Sequence, residues 1–115
     1  MENIENSKIS RWVAAIERAR PGSKNQKKLS YLIRLATRPK RSRPSVNIDK
    51  LEKLAKENDS IIIPGKVLGA GRISKKLNIC AVDFTSSAIE KLKGSGCRIV
   101  SIEDAIKDKA SRIII

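Results

Sequence analysis

The segment Arg38-Pro39-Lys40-Arg41-Ser42-Arg43-Pro44 constrains the fold most, because it excludes a helix from this part of the chain. Each proline fixes its own φ and disfavours the α region for the residue before it, so Arg38 and Arg43 are predicted to be non-helical. Four cationic side chains lie beside the two prolines, and the apolar run Val46-Asn47-Ile48 follows. We therefore predict an extended cationic segment at residues 38–44, called the strap below, which divides the chain.

Positive charge is concentrated before the end of the strap. Residues 8–43 hold twelve Lys/Arg and one acid, whereas residues 44–115 hold thirteen Lys/Arg and nine acids. The net charges are +11 and +4, which with −2 from residues 1–7 give the +13 of the whole chain. Such a surface favours a polyanion as partner, since solubility alone explains +4 well and +11 poorly. We predict a basic RNA-binding arm with two short helices at residues 1–45 and a compact α/β body at residues 46–115, together one structural domain.

Two amphipathic helices are predicted in the arm. The first follows Ser7 as its N-cap, ends near Pro21, and has its apolar stripe at Ile9, Trp12, Val13 and Ile16. The second is stopped by Pro39 and has its stripe at Leu29, Leu32, Ile33 and Ala36. Such stripes usually pack on each other or on the body, so we interpret Trp12 as an anchor and not as a base-stacking platform.

The body alternates short apolar runs with helix-cap signals. Strands are predicted at residues 46–48, 60–63, 66–68, 77–82 and 97–100. Helices are predicted after a capping box at Asp49-x-x-Glu52, with Leu51, Leu54 and Ala55 inward, after residues 85–87, and after Ser101. This order predicts an α/β fold with helices to one side of small sheets.

Several kinds of chemistry are disfavoured by the sequence. The chain has no histidine, and Cys80 and Cys97 lack metal-ligand spacing, so they are interpreted as reduced, buried thiols. Gly65-Lys66-Val67 lacks the Ser or Thr of a P-loop, and Gly69-x-Gly71-x-x-Ser74 lacks the third glycine of a dinucleotide fingerprint. Asp83 is better explained as a turn or cap acceptor than as a catalytic base. We predict no enzyme activity, metal, cofactor or small-molecule substrate.

No apolar run is long enough to span a membrane, and the acidic start lacks the pattern of a signal peptide. We therefore predict a cytoplasmic protein without a membrane partner.

The candidate RNA contacts are cations placed where a phosphate could reach them. Lysines near the start of the second helix oppose the helix dipole, which suggests that they serve a ligand. A loop with Gly69 and Gly71 lies among further cations, and its missing side chains would allow a phosphate to approach closely. The predicted RNA-binding residues are Arg18, Arg20, Lys24, Lys27, Lys28, Arg34, Arg38, Lys40, Arg41, Arg43, Lys66, Arg72, Lys75 and Lys76.

Three blocks in the same order carry a family resemblance. They are Pro39-Lys40-x-x-Arg43-Pro44-x-Val46-Asn47-Ile48-x-Lys50-Leu51, Ile62-Ile63-Pro64-Gly65-Lys66-Val67-Leu68-Gly69-x-Gly71 and Ala81-Val82-Asp83-Phe84. Together they resemble the archaeal and eukaryotic large-subunit ribosomal protein L-eighteen-e family, over roughly residues 9 to 106. Eukaryotic members continue into a longer basic C-terminal part, so this chain, which stops at Ile115, looks archaeal.

The resemblance implies a fold and a function. The fold would be an irregular superhelix of short β-β-α turns, shared with the bacterial large-subunit ribosomal protein fifteen. The function would be that of a structural constituent of the large ribosomal subunit that binds large-subunit ribosomal RNA and abuts neighbouring ribosomal proteins. The alternatives are a small RNA-modifying or RNA-processing enzyme, for which the acid–base constellation is missing, and a free-standing module that binds DNA.

Overall fold

Helices and strands alternate along the parts of the chain that the computed structural model describes, which are residues 4–22, 26–39, 43–107 and 112–115. The helices are α1 Ile4–Ala19, α2 Gln26–Ala36, α3 Ile48–Leu54, α4 Ser86–Gly94 and α5 Ile102–Lys107, with a 3-10 turn at Arg20–Gly22 after α1. The strands are β1 Ser45–Asn47, β2 Ser60–Leu68, β3 Asn78–Phe84, β4 Arg98–Ile99 and β5 Arg112–Ile113. The predicted arm, residues 1–45, thus contains two helices where it is described.

The strand pairs of the described sheet are parallel, and β2 lies at its centre. One edge of β2 pairs with β3, which in turn pairs with β4. The other edge is shared by β1, next to Lys66–Leu68, and by β5, next to Ile61 and Ile62. The sequence did not predict β5, because its two residues give no alternating pattern of their own.

Alternate residues of β2 belong to two separate hydrophobic cores. Ile61 and Ile63 pack with buried residues of α3 and α4 on one face of the sheet. Ile62 packs with buried residues of α1, α2 and α5 on the opposite face. A parallel sheet is normally covered on both faces, which is why its central strand reads as a continuous apolar run. The prediction that the helices lie to one side of the sheet was therefore wrong.

The two helices of the arm are part of this second core. Trp12 of α1 is only 5% exposed, and Ile16 is fully buried beside it. Leu29, Leu32 and Ala36 of α2 are buried in the same cluster. The interpretation of Trp12 as an anchor is confirmed. The helix α1 begins at Ile4, so the prediction that Ser7 caps it was wrong.

A register shift near Pro64 and Gly65 joins two predicted strands into one. The pairing with β3 shifts between Ile63 and Lys66, so β2 continues through a bulge instead of ending at the proline. Proline has no N–H for the ladder and is therefore confined to such irregularities or to edge strands. The Lys66 backbone N–H donates instead to the carbonyl oxygen of Pro44, at 3.1 Å. The bulge thus binds the end of the strap.

The α/β class predicted from the sequence is confirmed, whereas a superhelix of repeated turns is not confirmed by this sheet. The predicted capping box of α3 was wrong, because Asn47 precedes the helix and makes no side-chain cap. Leu54, predicted to point inward, is 47% exposed. No helix in the described ranges is both long and apolar enough to cross a membrane.

Substitution of Gly65 by alanine tests the contact between the bulge and the strap. A Cβ atom at this position would lie 1.9 Å from the carbonyl oxygen of Pro44, so one of two backbones must move. We expect Gly65→Ala to lower the free energy of unfolding by about 1–3 kcal/mol, the usual range for overpacking. Gly94→Ala is the matched control, because a Cβ there meets no atom within 4 Å. Urea denaturation that gave both variants the same midpoint would contradict the role of Gly65.

Candidate nucleic-acid interface

Eleven of the fourteen predicted RNA-binding residues lie in the described part of the chain. Lys24, Lys40 and Arg41 lie outside the described residues. The other predicted residues form three groups: the outer side of α2 with the neighbouring turn, the end of the strap with the β2 bulge, and the loop at residues 69–76. The structure brings members together within each group, but it does not gather them into one pocket.

The outer side of α2 carries exposed cations and no acid. Lys27, Arg34 and Arg38 are all exposed, and their spacing of seven and four residues places them along one side of the helical path. Lys28 is half-buried and engaged in an interaction of its own. The opposite side of α2 packs on the sheet, so this row of cations is held by a buried helix face. Arg18 and Arg20 are exposed around the end of α1.

The end of the strap and the β2 bulge line a small cavity of about 160 Å³. Its lining includes Arg43, Lys66 and Asp83. The Arg43 side chain is positioned by an Nε–H hydrogen bond to the carbonyl oxygen of Arg38, at 3.0 Å. Since Arg43 and Lys66 come from distant parts of the chain, their proximity could not be seen in the sequence.

Asp83 balances part of this positive charge. Lys8 of α1 donates to its carboxylate at 2.6 Å, and the Phe84 backbone N–H donates to the same oxygen at 2.9 Å. Partial burial tends to raise the pKa of Asp83, but the Lys8 ammonium, the Phe84 N–H and the charge of Lys66 together hold that pKa below its ordinary value. The carboxylate is therefore an acceptor that ties α1 to the end of β3. Sequence reasoning missed Lys8, whose partner lies 75 residues away.

The glycines of the loop at residues 69–76 are explained by contacts within the protein. A Cβ atom at Gly69 would lie 2.0 Å from Ser87 Oγ and 2.8 Å from the Ala88 backbone nitrogen. Gly71 has a φ of 100°, and a Cβ atom there would lie 2.3 Å from Asp49 Cβ. Lys91 Nζ donates to the carbonyl oxygens of both glycines, at 2.7 and 3.0 Å. The open space that the sequence suggested for a phosphate is thus occupied by side chains and backbone of α3 and α4.

The cations of this loop have different environments. Lys75 Nζ turns inward and donates to the carbonyl oxygens of Glu52 and Ala55, at 2.5 and 2.6 Å. A cation at the C-terminal end of a helix also interacts favourably with the helix dipole, so Lys75 stabilises the end of α3. Arg72 and Lys76 are exposed.

Glu52 fixes the loop from the other side. Its carboxylate accepts from the Ser74 hydroxyl at 2.6 Å and from the Ser74 backbone N–H at 2.8 Å. These two bonds to Ser74, followed by the charge of Lys75, lower the pKa of Glu52. The sequence had assigned Glu52 to a capping box, because the loop that it binds lies 22 residues further along the chain.

The two cysteines lie in the protein interior. Cys80 is 1% exposed, and burial raises the pKa of its thiol to about 12 despite the nearby Trp12 indole. Cys97 is 7% exposed and donates its thiol to the carbonyl oxygen of Lys75, at 3.1 Å. A neutral buried thiol is a poor nucleophile. Over residues 4–22, 26–39, 43–107 and 112–115, no group of three or more Cys, Asp or Glu could hold a metal ion.

Comparison with known proteins shows the family. Residues 25–100 match a family described as ribosomal proteins, which comprises 50S-L15, 50S-L18e and a 60S counterpart. The chain belongs to this family of large-subunit ribosomal proteins, which confirms the resemblance found in the sequence.

Individual relatives in archaea agree with the family match. The chain is 48% identical over 75 residues to the large ribosomal subunit protein eL18 of Thermoplasma acidophilum, which covers 65% of this chain and 62% of that protein. It is 39% identical over 71 residues to eL18 of Sulfurisphaera tokodaii, covering 62% and 60%. It is 38% identical over 81 residues to eL18 of Nanoarchaeum equitans, covering 69% of each chain. The matched region thus spans about six tenths of the length of the first two relatives.

The ion pair between Lys8 and Asp83 predicts a specific dependence of stability on pH. A carboxylate whose pKa is lowered on folding stabilises the fold above its unfolded pKa of about 3.9, and this stabilisation is lost as the pH falls through the folded pKa. We expect Lys8→Gln to be less stable than the parent at about pH 6 and equally stable once Asp83 is protonated, below about pH 3. Urea midpoints measured across this range provide the test.

Lys53→Gln is the control for this measurement, because Lys53 pairs with Asp49 in an exposed i,i+4 contact at 3.5 Å. Such pairs contribute little, so its midpoints should follow those of the parent. A loss in Lys8→Gln that stayed constant with pH would show that the lysine acts by packing and not by charge.

Proposed function

We propose that the protein is a structural constituent of the large ribosomal subunit and binds large-subunit ribosomal RNA through the basic arm. One observation carries the proposal. Between Glu17 and Asp49 the sequence has ten Lys/Arg and no acid, and the described members of this set surround the outer side of α2 and the strap. A protein that needed these cations only for solubility would gain nothing from segregating them on one part of its surface.

The chemistry of the arm fits folded RNA. Lysine and arginine side chains that contact phosphates release condensed counterions, which gives affinity without reading a sequence. Arginine adds a planar donor that can bind a phosphate with two hydrogen bonds. Because α2 is packed on the sheet, its cations are presented on a rigid element and lose little backbone freedom on binding. The proposed grip therefore consists of the α2 row, the exposed arginines after α1, and the strap.

The loop at residues 69–76 has a smaller part in the proposal. Its exposed cations, Arg72 and Lys76, are the candidates for phosphate contact. Lys75 is held by two carbonyl groups, and the glycines are needed for packing against α3 and α4. We propose that the loop adds two cations at a distance from the arm, and that close approach over its glycines is not required.

The family supports a structural role in the cytoplasmic ribosome. The relatives compared above are named as large ribosomal subunit proteins. We propose the same assembly, with neighbouring ribosomal proteins as further partners. The names of the relatives also favour this role over that of an RNA-modifying or RNA-processing enzyme.

The salt dependence of RNA binding tests the α2 row. Replacing Lys27, Arg34 and Arg38 together with glutamine removes three exposed cations without touching the buried face of α2. If each contacts a phosphate, the slope of log affinity against log salt should become shallower by roughly 2–3 units. Filter binding of deproteinised large-subunit ribosomal RNA, titrated with KCl, measures this slope.

A second triple variant is the control for this titration. Lys53, Lys56 and Lys93 are exposed cations of the body, so their replacement by glutamine removes the same charge from another surface. It should leave the slope close to that of the parent. Equal slopes for the two triple variants would contradict a grip located on the arm. A parent protein that bound duplex DNA as well as ribosomal RNA, and did not co-sediment with large subunits at high salt, would favour the DNA-binding alternative.

A further inference from the structure

One aromatic side chain stands among the cations of α2. Tyr31, the only tyrosine in the chain, is 39% exposed. It follows Lys27 by four residues and precedes Arg34 by three, so helical geometry places it between them on the outer side. Residues at these spacings have Cβ atoms about 5–6 Å apart, close enough for one ligand to contact all three.

Tyr31 is not needed by the core that holds α2. The large apolar residues of the helix, Leu29, Leu32 and Leu35, are all fully buried or nearly so. Tyr31 lies outside this stripe, and within the described part of the chain its hydroxyl takes part in no hydrogen bond. A tyrosine in the interior usually contributes packing and a hydroxyl contact, and this one leaves much of its ring in solvent.

We propose that Tyr31 is a stacking platform for an unpaired base of RNA, with Lys27 and Arg34 contacting the phosphates on either side of that nucleotide. The inference deepens the proposed function and rests on it, because it names the kind of RNA structure that the α2 surface recognises. The stacked bases of a continuous helix offer no free face to a protein ring, whereas a bulged or looped nucleotide does. Stacking accepts any base, since every base has a π-face.

Charge favours RNA over a protein as the occupant of this surface. The α2 helix has no acid, and Lys27, Arg34 and Arg38 surround the ring with positive charge. An unpaired nucleotide supplies both an aromatic face and adjacent phosphates, so it satisfies the ring and the cations at once. A protein partner would need an apolar contact enclosed by several acids to match the same residues.

Two RNA hairpins of equal length and two variants of the full chain test this inference. One hairpin is fully paired, and the other carries three unpaired adenines in its stem. Tyr31→Phe keeps the ring, whereas Tyr31→Leu removes it and keeps an apolar side chain with good helix propensity. We expect the leucine variant to lose about 5- to 150-fold in affinity for the bulged hairpin, the range for one stacked base. Its affinity for the paired hairpin, its salt slope and its melting temperature should change little, and the phenylalanine variant should match the parent.

The other outcomes would overturn the inference. Equal losses on both hairpins would assign Tyr31 a structural role, and no loss on either would remove it from the RNA interface. Normal RNA binding by the leucine variant combined with poor incorporation into large subunits would indicate a protein partner at this surface. These results leave the proposed function intact if the parent binds RNA with a steep salt dependence. A parent that bound neither hairpin nor large-subunit RNA would instead contradict both proposals.

Discussion

The packing of β2 between two hydrophobic cores supports the rest of the structure. Ile62 faces α1, α2 and α5, whereas Ile61 and Ile63 face α3 and α4. Each strand pair of the described sheet includes β2 or its neighbour β3, so the pairing of the shorter strands depends on this layer. The helices have no comparable source of stability, since short helices are marginal without the burial of an apolar face. The surface that carries the cations is thus a consequence of what lies beneath it.

The α2 helix joins these two requirements in eleven residues. Its inner side contributes Leu29, Leu32 and Ala36 to the core, and its outer side holds cations that repel one another in the free protein. Neighbouring like charges on a helix are destabilising by a few tenths of a kcal/mol per pair, about 0.2–0.5, whereas each buried leucine contributes about 1.5–3 kcal/mol. Burial therefore outweighs repulsion, and a polyanion that neutralises the outer side would stabilise the same helix further.

Patterns within one segment were predictable from the sequence, and contacts between segments were not. The apolar stripes of α1 and α2 and the buried run of β2 follow from the spacing of neighbouring residues. The continuation of β2 through Pro64 was missed because it depends on Pro44 accepting the Lys66 N–H across the strap. Glu52 and Lys75 were misinterpreted for a related reason: each matches a common local or ligand-binding pattern, but each is used by a segment about twenty residues away. In the candidate interface, the charge of the arm was evident, whereas Tyr31 is recognisable only once its helix face is known.

The parallel pairing also determines how the chain must fold. Within the described ranges no two strands are joined by a tight hairpin, and partners such as Asn78 and Arg98, or Ile61 and Arg112, lie far apart in sequence. Loop closure therefore precedes most of the native contacts, and folds of this kind form more slowly than those built from local pairs. During that interval the newly made polypeptide is a flexible polycation surrounded by cellular polyanions. A nucleation step in which α1 and α2 dock early on β2 would shorten this exposure, because it combines the nearest helices in the chain with the strand that the sheet requires first.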